Sequence, residues 1–191
     1  MTRSAHRAAS AGFSLLELTI VLGLSVIVAG MAVLTTTSAV ESLRADSAVE
    51  AVLRELRQAR ELAISERRNV EVAFVAPNQI QVRRRDVTGT AETGTTLLAT
   101  VVLEGRVQFN LPAGTVDTPD GFGNAGAVDF GTATRLIFTS EGTFVDQTGD
   151  PLNGTVFLSD PQNVLSLRAV TVFGPTALVS AWRWNGAAWT E

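Results

Sequence analysis

The chain has 191 residues, a net charge of −4, one histidine and neither cysteine nor lysine. Those absences exclude a disulfide framework and thiolate metal sites, and with them P-loop and Ser–Lys chemistry. The acidic balance offers no general attraction to nucleic acid or to anionic surfaces, and the length suits one domain with a core plus an appendage.

Residues 1–12, MTRSAHRAASAG, are small and polar, with Arg3 and Arg7 and no acid. An apolar run follows from Phe13, interrupted near its start by Glu17. From Leu18 to Val40 the chain is uncharged. As a helix rising about 1.5 Å per residue this run spans roughly 35 Å, enough for a hydrocarbon core of about 30 Å. The basic leader predicts a single pass with the N-terminus cytoplasmic. A secretory signal would place its cleavage site after the apolar run. Here a glycine, Gly12, closes the polar segment before it.

The stretch GFSLLELTIVLGL, residues 12–24, resembles the class III signal of type IV pilins and type II secretion pseudopilins. The glycine, the aromatic after it and the glutamate four residues further on carry the resemblance. It implies cleavage between Gly12 and Phe13 by prepilin peptidase, followed by N-methylation of Phe13. It also implies a role for Glu17: in a filament the carboxylate would face the Phe13 ammonium of a neighbouring subunit. A charge in an apolar medium costs roughly 2.5–3.5 kcal/mol unless it is paired, so Glu17 would set the assembly register. Leu15, Leu16, Leu18, Ile20, Val21 and Leu22 would form the packing surface.

After TTTS (35–38), the residues Ala45, Val49, Val52, Leu56, Ala59 and Ala63 recur at steps of four and three. They predict one apolar stripe on an amphipathic helix, with Arg54, Arg57 and Glu61 off it. No proline interrupts residues 13–68, which predicts a single long helix.

From Asn69 the period changes to two. Val70, Val72 and Phe74 alternate with Glu71 and Ala73. Beyond APNQ, Ile80 and Val82 alternate with Gln81 and Arg83, predicting a β-hairpin. Later apolar runs, TTLLATVVLEGRVQFNL, RLIFTS, GTVFLS, LRAVTVFG and TALVSAWRW, are mostly divided by turn residues and predict a mainly antiparallel sheet. Residues 112–133 are polar and glycine-rich and read as a long loop.

The order RLIFTSEGTF, GTVFLSD and LRAVTVFGPTALVSAWRW is similar to the GspH/FimT family of minor pseudopilins and minor pilins. Phe138 and Gly142 occupy its F-x-x-x-G spacing, and Gly174 its last turn. The resemblance implies an α+β, pilin-like fold, with a long N-terminal helix, transmembrane in its first half, packed on a mainly antiparallel sheet. It divides the chain into a leader (1–12), a filament-core helix (13–40), an amphipathic continuation (41–68) and a β-rich domain (69–191). It further implies a bacterial inner-membrane protein with a periplasmic C-terminal domain, whose partners are other major and minor pseudopilins or pilins. Such a protein has no active site and no cofactor.

His6 lies in the leader, so a mature chain would carry no histidine for a Ser–His–Asp triad or an HExxH site. GFGNAG (Gly121, Gly123, Gly126) matches G-x-G-x-x-G but follows no hydrophobic strand and precedes no amphipathic helix. Asp117, Asp120 and Asp129, or Asp146, Asp150 and Asn153, offer oxygen ligands for calcium without EF-hand spacing. Arg83, Arg84, Arg85 and Arg183, the last beside Trp182 and Trp184, are the candidate DNA contacts of the alternative, a FimT/FimU-like minor pilin. Loss of Arg3 and Arg7 with the leader makes the mature chain still more acidic, and this opposes DNA binding.

Overall fold

The computed structural model describes residues 14–88 and 91–191, with side chains placed for all of these except 32–39, 88 and 91. Among the described residues one helix, α1 (Leu15–Glu66), precedes eleven strands: β1 (Val70–Val75), β2 (Gln79–Thr88), β3 (Ala91–Val102), β4 (Gln108–Phe109), β5 (Val128–Asp129), β6 (Leu136–Phe138), β7 (Phe144–Val145), β8 (Gly154–Asp160), β9 (Asn163–Phe173), β10 (Leu178–Trp184) and β11 (Trp189–Thr190). The chain divides into two compact units, Met1–Val40 and Glu41–Glu191.

The second unit is built on two antiparallel sheets. One has the order β3-β2-β1-β6-β7; the other has β11-β10-β9-β8-β4, with β5 also pairing β8. The β1–β2 hairpin pairs Val72 with Val82 and Phe74 with Ile80, so the period-two apolar residues share one face. The stripe residues Ala45, Val49, Val52, Leu56, Ala59 and Ala63 are all buried. From Ala48 to Ala63 the helix shares one core with Val70, Val72, Ile80 and Val82 of the first sheet and Val156, Leu158, Val170 and Val172 of the second. Strand β8 is buried along its whole length. The reverse face of the second sheet is covered too, where Phe157, Leu167 and Ala169 pack with Trp182, Trp184 and Trp189.

The sheets meet at a seam where Gly174 permits a close backbone approach. Phe144 N–H donates to the Gly174 carbonyl at 3.0 Å, and Leu152 N–H to the Phe144 carbonyl at 3.0 Å. A methyl group on Gly174 would lie 2.4 Å from the Leu152 nitrogen. Gly142 has φ +84° and closes a turn on Thr139, and its carbonyl accepts from Arg60 Nε at 3.0 Å. That contact pins the turn to the last turns of α1.

The expected pilin-like arrangement, with a transmembrane first half packed on one mainly antiparallel sheet, is corrected in two respects. Among the described residues no helix is long and apolar enough to cross a membrane. The single-pass inner-membrane placement is therefore not supported. The strands, moreover, form two sheets rather than one, because β8 and β9 carry continuous apolar runs that need cover on both faces.

Candidate assembly surface and arginine clusters

Ser14 caps α1. Leu16 N–H donates to Ser14 Oγ at 3.3 Å and Leu18 N–H to the Ser14 carbonyl at 3.1 Å. Glu17 stands three residues after Ser14, completing the S-x-x-E pattern of a capping box. Its carboxylate sits in the first turn, at the positive end of the helix dipole.

Behind this cap Leu15, Leu16, Leu18, Ile20, Val21 and Leu22 are all exposed, from 80% for Leu15 down to 54% for Val21. Leu24, Val26, Ile27, Val28 and Met31 continue the exposed series. The polar residues between them do not break the apolar surface. Thr19 Oγ1 donates to the Leu16 carbonyl at 2.8 Å and Ser25 Oγ to the Val21 carbonyl at 2.7 Å, so both hydroxyls are satisfied within the helix. Exposed apolar surface of this extent is characteristic of protein–protein or membrane interaction sites. Gly12 and Phe13, the expected processing residues, lie outside the described residues.

The arginine run sits on β2, and every member has an acidic partner. Arg83 lies 3.9 Å from Glu71 and donates to Gln81. Arg84 bridges Glu66 at 3.6 Å and Asp86 at 3.3 Å. Arg85 contacts Glu92, which also meets Arg135 at 3.4 Å. The Thr96 hydroxyl, donating to Asp86 at 2.6 Å, holds that carboxyl below its ordinary range, with help from Arg84 and Arg68. The adjacent Arg85 guanidinium does the same for Glu92. Arg183 lies on β10 of the other sheet, 3.3 Å from Ser42 Oγ. The four candidate DNA contacts are therefore divided between two sheets, and Arg83–Arg85 are neutralised by neighbouring carboxylates. Phosphate binding needs uncompensated charge.

Two further arginines went unnoticed in the sequence. Arg168 on β9 is 2% exposed. It donates to Asp46 at 2.7 Å, to Ser42 Oγ at 3.1 Å and to the Leu165 and Leu167 carbonyls. Arg106 joins Glu41 and Asp160, both at 2.9 Å, and Gln162, also at 2.9 Å. Together they clamp residues 41–46 of the helix to the second sheet. An arginine inside the apolar pattern of LSLRAVTVF was the available signal, since a cation in a buried strand requires a specific partner.

The candidate calcium ligands are engaged with the polypeptide. Asp117 accepts from Thr118 N–H at 2.7 Å and Gly123 N–H at 3.0 Å, and Asp129 from Ala125 N–H at 2.7 Å and Gly131 N–H at 3.1 Å. Asp120 accepts from Trp182 Nε1 at 3.0 Å. Asp146 accepts backbone N–H groups from Thr148, Gly149 and Asp150, which with the Thr148 hydroxyl hold its carboxyl low. Asn153 accepts from Gly174 N–H at 2.9 Å. Among the described residues no group of three or more His, Cys, Asp or Glu side chains could hold a metal ion. Within GFGNAG, Gly123 packs against Asp129 and frames no phosphate cradle.

Comparison with family models, with curated proteins and with solved structures gives no match.

Proposed function

We propose that this chain is a minor pseudopilin of a type II secretion system, built into the pseudopilus at or near its tip to serve protein secretion. One observation carries the reading: an exposed apolar helix, Leu15–Met31, whose single charge is Glu17 at its capped start. A helix apolar on every side is covered in its working state, and bundling with like helices provides that cover. Prepilin peptidase would cut between Gly12 and Phe13 and methylate the new terminus. Glu17 would then face the Phe13 ammonium of a neighbouring subunit, and the carboxylate would be neutralised only in the correct stagger. What supports this reading over a DNA-binding minor pilin is the engagement of Arg83, Arg84 and Arg85 with acids.

Intact-mass spectrometry of the chain recovered from its native host tests the proposal. A species beginning at N-methylated Phe13 is expected, with Gly12→Val retaining residues 1–12. Recovery of an unprocessed chain from wild type would overturn it.

A further inference from the structure

We propose that the free edge of β3 is a self-association surface, on which a second copy of this chain pairs its own β3 antiparallel across a dyad between Leu97 and Leu98. The inference concerns the Glu41–Glu191 unit alone and does not rest on the filament reading.

Three of the four sheet edges are protected by brevity: β7, β11 and β4 are two residues each. Strand β3 is the exception, with 12 residues at the end of its sheet. Edges this long normally carry charge or proline to prevent pairing. From Thr93 to Val102 there is neither, and the acid that precedes this stretch, Glu92, is held by Arg85 and Arg135. Leu97 is 55% exposed, Leu98 38% and Val102 54%.

The register identifies the partner. Val82 pairs Ala99 while Arg83 pairs Leu97, leaving Leu98 as the extra residue of a bulge. Thr95, Leu97 and Thr100 oppose Arg85, Arg83 and Gln81 and share one face; Thr96 and Ala99 oppose Arg84 and Val82 and share the other. In a regular strand, residues five apart point to opposite faces. The bulge brings Thr95 and Thr100 to the same face, so TTLLAT is nearly palindromic about Leu97–Leu98, with Thr96 against Ala99 its one mismatch. A dyad there sets Thr95 against Thr100 and Thr96 against Ala99, both facially matched, and Leu97 against the bulge residue Leu98. Leu103 N–H donates to the Asn78 carbonyl. The alternation of the ladder therefore turns the backbone of Thr100 away from β2, toward an incoming strand. The paired stretches oppose no like charges, although each copy carries a net −4.

The chain has no cysteine, so crosslinking can read the register directly. Two differently tagged full-length copies, one Thr95→Cys and the other Thr100→Cys, are produced together in cells and treated with a mild oxidant. Directly opposed strand residues lie about 5.5 Å apart at Cα, within disulfide reach. A mixed disulfide is expected from the pair and none from either variant alone. Adding Leu97→Lys to the Thr95→Cys copy should abolish it, and adding Leu98→Glu to the Thr100→Cys copy should restore it. Absence of the mixed disulfide, or its persistence with Leu97→Lys alone, overturns the proposal.

Discussion

Arg168, buried in β9, donates from Nε to the Asp46 carboxylate of α1 at 2.7 Å, joining residues 122 positions apart. The two ends of this pair differ: the arginine side chain is 2% exposed and the aspartate side chain 44%. Removing Asp46 therefore strands a buried cation, whereas removing Arg168 leaves a carboxylate that water can solvate.

Asp46→Asn is accordingly expected to destabilise the fold by roughly 3 kcal/mol, the scale for breaking a buried pair from one side. Arg168→Met, which puts an apolar chain of similar reach in the same space, should cost less. Urea denaturation of the full chain measures both. An equal or reversed order would show that the carbonyl and Ser42 contacts, not Asp46, carry the arginine.

Charge and helix capping at the start of α1 are separated by two substitutions. Glu17→Gln keeps the S-x-x-E/Q pattern, since glutamine serves at that position, but removes the charge. Ser14→Ala weakens the cap by about 1 kcal/mol and keeps the charge. If charge pairing sets the register, Glu17→Gln is processed normally yet fails to enter filaments, and Ser14→Ala enters them. Normal incorporation of Glu17→Gln, followed by immunogold counting on filaments, would refute the register role of the Glu17 charge.

Acid should loosen the β2–β3 hairpin. Asp86 and Glu92 both have folded values below those of the unfolded chain. Their contribution is thus complete above the ordinary carboxylate range near pH 4 and is lost as pH falls through the lowered folded values. Thr96→Val removes the largest cause at Asp86. The urea midpoint of this variant should lie below wild type at pH 6 and converge on it as pH falls through the lowered folded value of Asp86; a gap independent of pH would refute the linkage.

Gly174→Ala tests the seam between the sheets. Its new methyl would meet Leu152 backbone atoms from 2.4 to 2.8 Å away, and backbone cannot yield as a side-chain tip can. A loss of roughly 2–3 kcal/mol is expected. Thermal unfolding unchanged from wild type would mean that the β9–β10 turn shifts freely.

The helical stripe and the β1–β2 hairpin were legible in the sequence because each buries one face, and one-sided burial writes a period into the residues. The second sheet was not. Strands β8 and β9 are covered on both faces, so GTVFLSD and LRAVTVF show no alternation that could assign them to a separate layer. The clamp at Arg168 and Arg106 was hidden for another reason: its partners, Asp46 and Glu41, are remote in sequence and look like ordinary helix-surface acids. Arg83–Arg85 misled in the opposite direction. A run of cations suggests a patch, but strand pairing brings Glu71 and Glu92 beside it, and the end of α1 adds Glu66. The apolar run from Leu18 to Val40 suggested a membrane span that the described helix does not supply.

The most direct test of the pseudopilin reading is an inventory of partners. A tagged full-length copy would be crosslinked in its native host and the captured proteins identified by mass spectrometry. The account predicts other pseudopilins, joined through residues 15–31, with loss of those crosslinks in Glu17→Gln. Capture of no pilin-like protein, with the Leu15–Met31 surface joined instead to unrelated chains, would contradict it.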